Sequence, residues 1–451
     1  MFDKPRRIHF IGIGGVGMAA TAAMAAESGF TVTGSDSGVF PPTSDFLRDK
    51  KLHVQEGYDP GNLEPEPDLV VVGNALSRGN PEVEAMLDRR LDYCSMPDFV
   101  REAFLSGKRV TLVAGTHGKT SITTLLAWLL EKAGRSPSFL AGGLSKNFNS
   151  NYTLGDGEDF IVEGDEYDTA FFDKRSKFLL YRPEIVVLAN IEYDHADIFP
   201  SQVEYHQAFR RLVNLIPSRG ALVANAGDLL VREAAAASRC PVTLVRPTDP
   251  ANFTFPFAGA HYLQNARIAA AAAKVIGLSD DEIADGMLTY RGVRRRLEQI
   301  YDGKGVALYD DFAHHPTSIR LDLEALREQH RDARIWAIFE PRSNTVRRKI
   351  FQGALPEAFA AADEVIIGAI HRAEKLSLAE RLDPDRVVRD ITESGRRGRY
   401  IPAVDDILRI VREEVRPGDV VVVMSNGEFG GLLPRLRKEM ERLRPIEGGQ
   451  L

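Results

Sequence analysis

Apolar residues recur along this chain in two alternating patterns, short β-rich runs and helical spacings of three and four. That alternation predicts an α/β fold on mostly parallel sheets. The first block opens with a strand at 8–11, a glycine turn, an alanine-rich helix ending near Gly29 and a second strand through Val32; 68–73 (DLVVVG) is a further buried-strand pattern. A second block follows Ser106-Gly107-Lys108, with a strand at 110–114 and a helix at 120–132. In that helix Ile122, Leu125, Leu126, Leu129 and Leu130 share one face, and Gly134 supplies the stop. Strands at 160–162, 185–190 and 221–225 and a helix at about 261–276 complete the block. The third starts near Gly292 and carries strands at 306–309, 335–339, 364–367 and 420–424, each followed by a polar loop and then helical periodicity. No internal repeat or low-complexity linker interrupts the series.

A chain of 451 residues is too long for one ordinary core, and usual domain sizes give about three. The expected domains are therefore 1–105, 106–292 and 293–451. With 57 basic against 64 acidic residues and no long run of one sign, a general nucleic-acid-binding role is unsupported. The two cysteines, Cys94 and Cys240, lie too far apart in sequence for a metal-type cluster and fit a reducing compartment. The N-terminal residues lack the apolar stretch of a signal peptide, and the alanine-rich run at 269–273 is short and flanked by Arg267 and Lys274. A cytoplasmic protein that does not span a membrane is expected.

Gly12-Ile13-Gly14-Gly15-Val16-Gly17 lies between a strand and a helix, with Asp36 after the second strand. Such glycines let helix N-terminal amides approach a diphosphate, without saying which nucleotide carries it. Gly115-Thr116-His117-Gly118-Lys119-Thr120-Ser121 follows another strand and opens another helix. Its amides would cradle phosphates, Lys119 would neutralise the β and γ oxygens, and the Thr120 hydroxyl could ligate Mg²⁺. Val113 occupies the first glycine position of the full phosphate-loop pattern. Glu163, Asp165, Glu166 and Asp168 stand at one strand end and Asp194-His195 beyond another, where an α/β sheet binds ligand. Mg²⁺ prefers oxygen, so Glu163 is the stronger candidate and His195 the weaker.

In the third block, Asp310-Asp311-Phe312-Ala313-His314-His315-Pro316-Thr317, Glu340-Pro341-Arg342-Ser343-Asn344-Thr345 and Ser425-Asn426-Gly427-Glu428-Phe429-Gly430-Gly431 each follow a strand. Three polar stretches at successive strand ends imply one crevice at one edge of the sheet. At most one of His314 and His315 is expected to contact ligand, since adjacent side chains point apart; the other would belong to a helix-start loop.

Together, the phosphate loop GTHGKT, the segments EGDEYD and DDFAHHPT and the Asp194-His195 pair resemble the Mur ligase family across essentially the whole chain. The stretch Phe172-Asp173-Lys174-Arg175-Ser176-Lys177-Phe178, Asp197-Ile198-Phe199 and EPRSNT resemble the branch that accepts an L-Ala-γ-D-Glu-diamino-acid tripeptide, as against the L-alanine-adding branch. The resemblance implies a Rossmann-like N-terminal domain, a central phosphate-loop ATPase domain and a C-terminal Rossmann-like domain. It further implies that ATP phosphorylates the lactyl carboxylate of UDP-N-acetylmuramate and that the peptide amine attacks the acyl phosphate, in peptidoglycan recycling. Carried over by position, Thr120 and Glu163 would hold one Mg²⁺ and His195 a second, and Gly115, Thr116, His117, Gly118, Lys119, Thr120 and Ser121 would hold ATP. His261 and Asn265 would meet the adenine, although Tyr262 replaces an asparagine of the family pattern there. Arg296 would reach the phosphates and Asp311 the ribose side or a water near the metal. Arg342 and His315 would lie near the reacting carboxylate or the peptide. The nucleotide sugar would be met by Gly12, Gly14, Gly15, Gly17, Asp36 and Asn74, with Arg175 on the substrate side.

The chain departs from the family in two places. No lysine occurs between His195 and Pro217, so the carbamylated lysine of several Mur ligases is absent, and the segment 228–259 is short. A nicotinamide dehydrogenase would use the first glycine turn and Asp36 but leaves the phosphate loop without a role.

Overall fold

The computed structural model describes residues 6–41 and 43–442. They form two compact units. The first runs through Tyr193 and takes in Pro200–Pro256 and Gln264–Gly292; the second comprises Asp194–Phe199, Phe257–Leu263 and the chain from Val293 onward.

Two sheets build the first unit. The N-terminal one has five parallel strands in the order Val54–Glu56, Thr31–Asp36, Arg7–Ile11, Leu69–Val72 and Tyr93–Ser95. This is the Rossmann order, which reverses direction beside the first strand and so opens a crevice at the strands' carboxyl ends. Ile8, Phe10, Ile11 and residues 70–72 are fully buried, as expected of a central strand covered on both faces. The second sheet has seven strands: Val242–Val245, Ala221–Asn225, Ile185–Leu188, Arg109–Ala114, Asp159–Gly164, Ser138–Ser145 and Ser150–Thr153. All its pairings are parallel except the last, a hairpin. The phosphate-loop strand Arg109–Ala114 lies between the strand that carries Glu163 and the strand that leads to Asn190. The short segment after Asp228 holds a helix, Leu229–Ala235, and the edge strand Val242–Val245.

The second unit is a six-stranded sheet ordered Glu298–Gly303, Val306–Asp311, Val420–Met424, Ile335–Phe339, Glu364–Ile367 and Arg397–Tyr400, with only the first pairing antiparallel. Its inner strands are buried along their whole length. The fold class is therefore the α/β one expected, with a Rossmann-like sheet first in chain order, a phosphate-loop sheet second and a Rossmann-like sheet last.

The strands that sequence periodicity missed are mostly edges and hairpins. Val242–Val245 buries one residue of four and Glu298–Gly303 none fully, so neither shows the continuous apolar run of a covered strand. The strand expected at 185–190 stops at Leu188, because Asn190 turns out of the ladder to hydrogen-bond the phosphate loop.

One buried polar network ties the N-terminal sheet together. Glu82, fully buried in the first turn of helix Pro81–Asp88, accepts hydrogen bonds from the Ser35 hydroxyl, from Asn62 Nδ2 at 2.5 Å and from the Asp59 N–H at 3.1 Å; His9 Nε2 stands 3.4 Å away. Burial pushes the Glu82 carboxyl up, but His9, Ser35, Asn62 and Asp59 together hold it below its ordinary value. A depressed carboxyl stabilises the fold fully above its unfolded value, and the contribution is lost as pH falls through the folded one. Glu82→Gln would turn an amide donor toward other donors, and we expect it to lower stability by about 1–3 kcal/mol at neutral pH. The difference from wild type should narrow below the usual carboxylate range. Urea unfolding at about pH 7 and about pH 3 measures both effects; a variant as stable as wild type at neutral pH would refute the role given to this carboxylate.

Candidate active site

The glycine turn of the first sheet is held from within. Gly12 has φ 82°, and the N–H groups of Gly12 and Ile13 both donate to the Ser35 carbonyl. Gly15 caps helix Val16–Glu27, and Gly17 lies in its first turn against Met96. Asp36 accepts from the Gly14 N–H at 2.9 Å and the Gly38 N–H at 3.3 Å, so its carboxylate braces the glycine loop. Asn74 sits in the turn after strand Leu69–Val72.

In the second sheet the loop from Gly115 to Lys119 closes over the end of its strand. Gly118 adopts a left-handed conformation, φ 79°, as the N-cap of helix Lys119–Lys132; a Cβ there would stand 2.7 Å from Asn265 Oδ1, so glycine serves both the turn and the contact. The His117 N–H donates to Asn190 Oδ1 at 2.7 Å, and Asn190 Nδ2 donates back to the His117 carbonyl at 2.9 Å. Thr116 Oγ1 lies 2.8 Å from both the Glu192 carbonyl and the Tyr205 hydroxyl, and His117 Nε2 is 2.9 Å from Glu192 Oε2. Ser121 continues the helix, its carbonyl accepting from the Tyr290 hydroxyl at 3.3 Å.

Two consecutive side chains then meet two carboxylates. Lys119 Nζ donates to the Gly115 carbonyl at 2.6 Å and to Glu166 Oε2 at 2.8 Å, while Thr120 Oγ1 donates to Glu163 Oε1 at 3.0 Å. The other Glu163 oxygen accepts from the Gly142 N–H at 2.6 Å. Burial pushes the Glu163 carboxyl up, and Asp165 adds to this, against the Gly142 N–H, Lys119 and Thr120. Burial opposes charge on Lys119 as well, but Glu166, Asp165 and Glu163 outweigh it and keep the ammonium protonated. An ammonium flanked by a phosphate-sized amide loop, beside a hydroxyl and a carboxylate oxygen, is a donor set suited to a nucleotide triphosphate and a hard divalent cation. Glu166, Asn190, Glu192 and Tyr205 were not anticipated in these supporting roles. Glu166, Asn190 and Glu192 follow strands and Tyr205 lies in helix Gln202–Val213, positions that do not by themselves reveal hydrogen-bond partners.

The segment behind EGDEYD forms a small hairpin, Asp168–Ala170 with Asp173–Ser176. Arg175 is paired with Asp173 at 2.6 Å and Lys174 with Asp168 at 2.6 Å. Lys177 is 6% exposed, with its ammonium 4.2 Å over the Tyr167 ring.

In the second unit the three polar loops do converge. The Ser425 hydroxyl donates to Glu340, and Arg295 Nη2 donates to the carbonyls of Ser425 and Gly427. The Arg342 side chain packs directly over Gly427, where a Cβ would stand 2.1 Å from Arg342 Nε. Arg342 Nη1 is 3.4 Å from Glu340 and 3.2 Å from His371 Nδ1. Arg296 lies over the Phe312 ring at 5.0 Å. His195, at φ 53°, follows Asp194, whose carboxyl is held well below its ordinary value: burial raises it, but His314, His195 and Thr345 prevail. His314 Nε2 is 3.8 Å from Asp194. His261 Nε2 is 3.0 Å from Asp322.

Two of the candidate residues are engaged by their own loops. Asp311 is fully buried, both its oxygens accepting backbone N–H groups, from Leu297 at 2.7 Å and Ala313 at 2.6 Å, and burial with Asp322 raises its carboxyl well above the ordinary value. It organises the loop and offers no surface to a ribose. His315 is 3% exposed and N-caps helix Pro316–Gln329, accepting from the Thr317 N–H at 3.2 Å. The cause is Pro316, which suits the first helical position and leaves the preceding residue as the cap. His314 is the more exposed of the pair, on the side of Asp194.

Three family models match consecutive stretches of the chain: Mur ligase family, catalytic domain, over residues 7–106; Mur ligase middle domain over 113–246; and Mur ligase, glutamate ligase domain over 295–427. The UDP-N-acetylmuramate–L-alanyl-γ-D-glutamyl-meso-2,6-diaminoheptandioate ligase of Escherichia coli is 36% identical over 95% of this chain and 97% of its own length. The UDP-N-acetylmuramate–L-alanine ligase of a Nocardioides species is 34% identical over 96% of each. The crystal structure of a murein peptide ligase from Psychrobacter arcticus superposes with a TM-score of 0.74 at 33% identity, covering 98% of this chain and all of that one.

The Lys119–Glu166 pair yields a prediction. Lys119→Met should reduce turnover by about 3 kcal/mol of barrier or more, the usual loss when a phosphate-neutralising group is removed. It should also destabilise the fold by about 3–5 kcal/mol, because Glu166 would remain buried and uncompensated. Adding Glu166→Gln should restore most of the stability and none of the activity. A wild-type unfolding midpoint for Lys119→Met alone would refute the pairing.

Proposed function

The chain belongs to the Mur ligase family, and from that premise we propose that it joins the carboxylate of UDP-N-acetylmuramate to the amino group of an L-Ala-γ-D-Glu-diamino-acid tripeptide. The reaction is an ATP-dependent ligation. Phosphoryl transfer from ATP to the lactyl carboxylate forms an acyl phosphate and releases ADP; the peptide amine then attacks the acyl carbon, phosphate leaves, and the amine's surplus proton is lost. The observation that carries this reading is the pair of adjacent contacts Lys119–Glu166 and Thr120–Glu163 at the mouth of the phosphate loop. ATP displacing Glu166 from Lys119 would exchange one anionic partner for another, leaving the ammonium neutralised throughout.

In this proposal residues 1–105 bind the UDP sugar through the amides around Gly14 and Gly17, 106–292 bind ATP, and 293–451 supply the acceptor side. Mg²⁺ would be held by Thr120 and Glu163, with His195 the candidate for a second ion; such ions neutralise charge on the transferring phosphoryl group. Arg342 and Arg296 would face the reacting groups. Among the described residues no helix is long and apolar enough to cross a membrane. A cytoplasmic place in peptidoglycan recycling accords with that and with the two free cysteines.

The acceptor separates this reading from the L-alanine-adding one, supported by the Nocardioides relative. A tripeptide brings several carboxylates that alanine lacks, and each charged hydrogen bond to one is worth roughly 1.5–3 kcal/mol. Steady-state kinetics should therefore favour the tripeptide over free L-alanine by about a hundredfold or more in kcat/KM. Better turnover with alanine would transfer the chain to the L-alanine reading. Calorimetry should show binding of UDP-N-acetylmuramate in preference to NAD; the reverse order would overturn the role given to the N-terminal sheet.

A further inference from the structure

The N-terminal sheet and the phosphate-loop sheet lie in one compact unit, and the hairpin of Asp168–Ala170 with Asp173–Ser176 runs from one to the other. We infer that its tip, Phe171-Phe172, is a pair of positioning residues that fix where the sugar's carboxylate stands relative to the phosphate loop. The inference rests on the acyl-phosphate reading above and on neither choice of acceptor.

The base of the hairpin is part of the nucleotide site. It continues the segment that carries Glu163 and Glu166, the carboxylates hydrogen-bonded to Thr120 and Lys119. Its two strands are tied together where they leave that site: the Phe178 N–H donates to the Asp165 carbonyl and the Lys177 N–H to the Tyr167 carbonyl, both at 3.1 Å. Further out, Thr169 Oγ1 donates to the Arg175 carbonyl at 2.8 Å. Phe178 is fully buried against Gly164 and Phe209, so a shift of the base disturbs the strand that ends at Gly164.

The tip belongs to the other sheet. Phe171 packs on the apolar cluster that contains Ile11, Val72, Met86 and Leu91, and Leu76 joins the same cluster. Ile11 directly precedes Gly12, and a Cβ on Gly12 would stand 3.4 Å from Leu76 Cδ1, so this cluster lies under the glycine turn. Phe172 stands edge-on to both Phe171 and Tyr93, with ring centroids 5.0 Å apart in each pair. One short hairpin thus joins the floor of the diphosphate turn to the carboxylates beside the phosphate loop. Close packing at both ends passes a displacement from one to the other. Reacting atoms must approach to about 3–3.5 Å, and a misplacement of about 1 Å costs on the order of a hundredfold in rate. A second contact between the sheets offers a comparison: buried Tyr152, on the edge strand Ser150–Thr153, donates its hydroxyl to Glu27 at 2.7 Å, at the opposite end of helix Val16–Glu27 from the glycine turn.

The test uses the full chain with Phe171→Ala, Phe171→Leu, Phe172→Ala and Tyr152→Phe. The first chemical step is read without peptide, as the scrambling of heavy oxygen from the βγ bridge of ATP that depends on UDP-N-acetylmuramate. Calorimetry gives the separate affinities for UDP-N-acetylmuramate and for a non-hydrolysable ATP analogue. Phe171→Ala should slow scrambling and kcat by about tenfold or more while both affinities stay at their wild-type values. Phe171→Leu should recover most of the rate. Phe172 is 38% exposed, so Phe172→Ala should slow the same step without moving the unfolding midpoint, and it decides the matter if Phe171→Ala does not fold. Tyr152→Phe should keep the wild-type rate even where stability falls. Wild-type scrambling in either folded alanine variant would overturn the assignment. An equal loss in Tyr152→Phe would do the same by showing a general loosening of the sheets, and lost affinity for the sugar at an unchanged rate would make the aromatics a wall of its site. A wild-type chain that scrambles no oxygen in the presence of UDP-N-acetylmuramate would instead overturn the acyl-phosphate reading, and the inference with it.

Discussion

A buried ammonium requires a counter-charge, and the first unit is arranged around meeting that requirement at Lys119. Its partner Glu166 is fully buried and is itself held by the Tyr205 hydroxyl, which also reaches Thr116 in the phosphate loop. The pair thus links the helix that begins at Lys119, the end of strand Asp159–Gly164 and helix Gln202–Val213. An isolated charge in that position would be prohibitive, whereas a paired one that can exchange partners suits a polyphosphate. Glu163 and Thr120 repeat the arrangement one residue on, with oxygen donors in place of the ammonium.

Parallel strands make such convergence possible. Because every central strand runs the same way, its carboxyl-terminal loop leaves at the same edge, and residues far apart in sequence arrive together. Glu163 and Thr120 are 43 residues apart yet hydrogen-bonded. The same geometry brings the loops at Glu340, His371 and Ser425 together in the second unit. There the arginines serve the packing of the loops, Arg295 on the carbonyls of Ser425 and Gly427 and Arg342 between Glu340 and His371.

Much of this was legible from the chain alone. The glycine turn at Gly12, the phosphate loop at Gly115 and the acidic strand end at Glu163 are local patterns, and local patterns with a steric or electrostatic cause can be read without a structure. Buried strands such as Ile335–Phe339 and Val420–Met424 were legible because both of their faces are covered and every position is apolar. Edge strands lack that signature. The destinations of polar side chains were illegible for a different reason: a carboxylate in a loop has the same one-letter code whether it faces solvent or accepts two backbone N–H groups, as Asp311 does.

By itself, the sequence determined the α/β class, the succession of three sheets and the chemistry of phosphate handling, because periodicity and glycine spacing express constraints between near neighbours. Only the tertiary structure decided that His315 caps a helix and leaves His314 on the side of Asp194, that Asp36 braces its own loop, and that Arg175 and Lys174 are already paired. It also decided that Arg342 and Arg347 both reach His371. Each of these depends on which groups from distant segments compete for one hydrogen bond or one charge, and that competition is settled only when the strands are packed side by side.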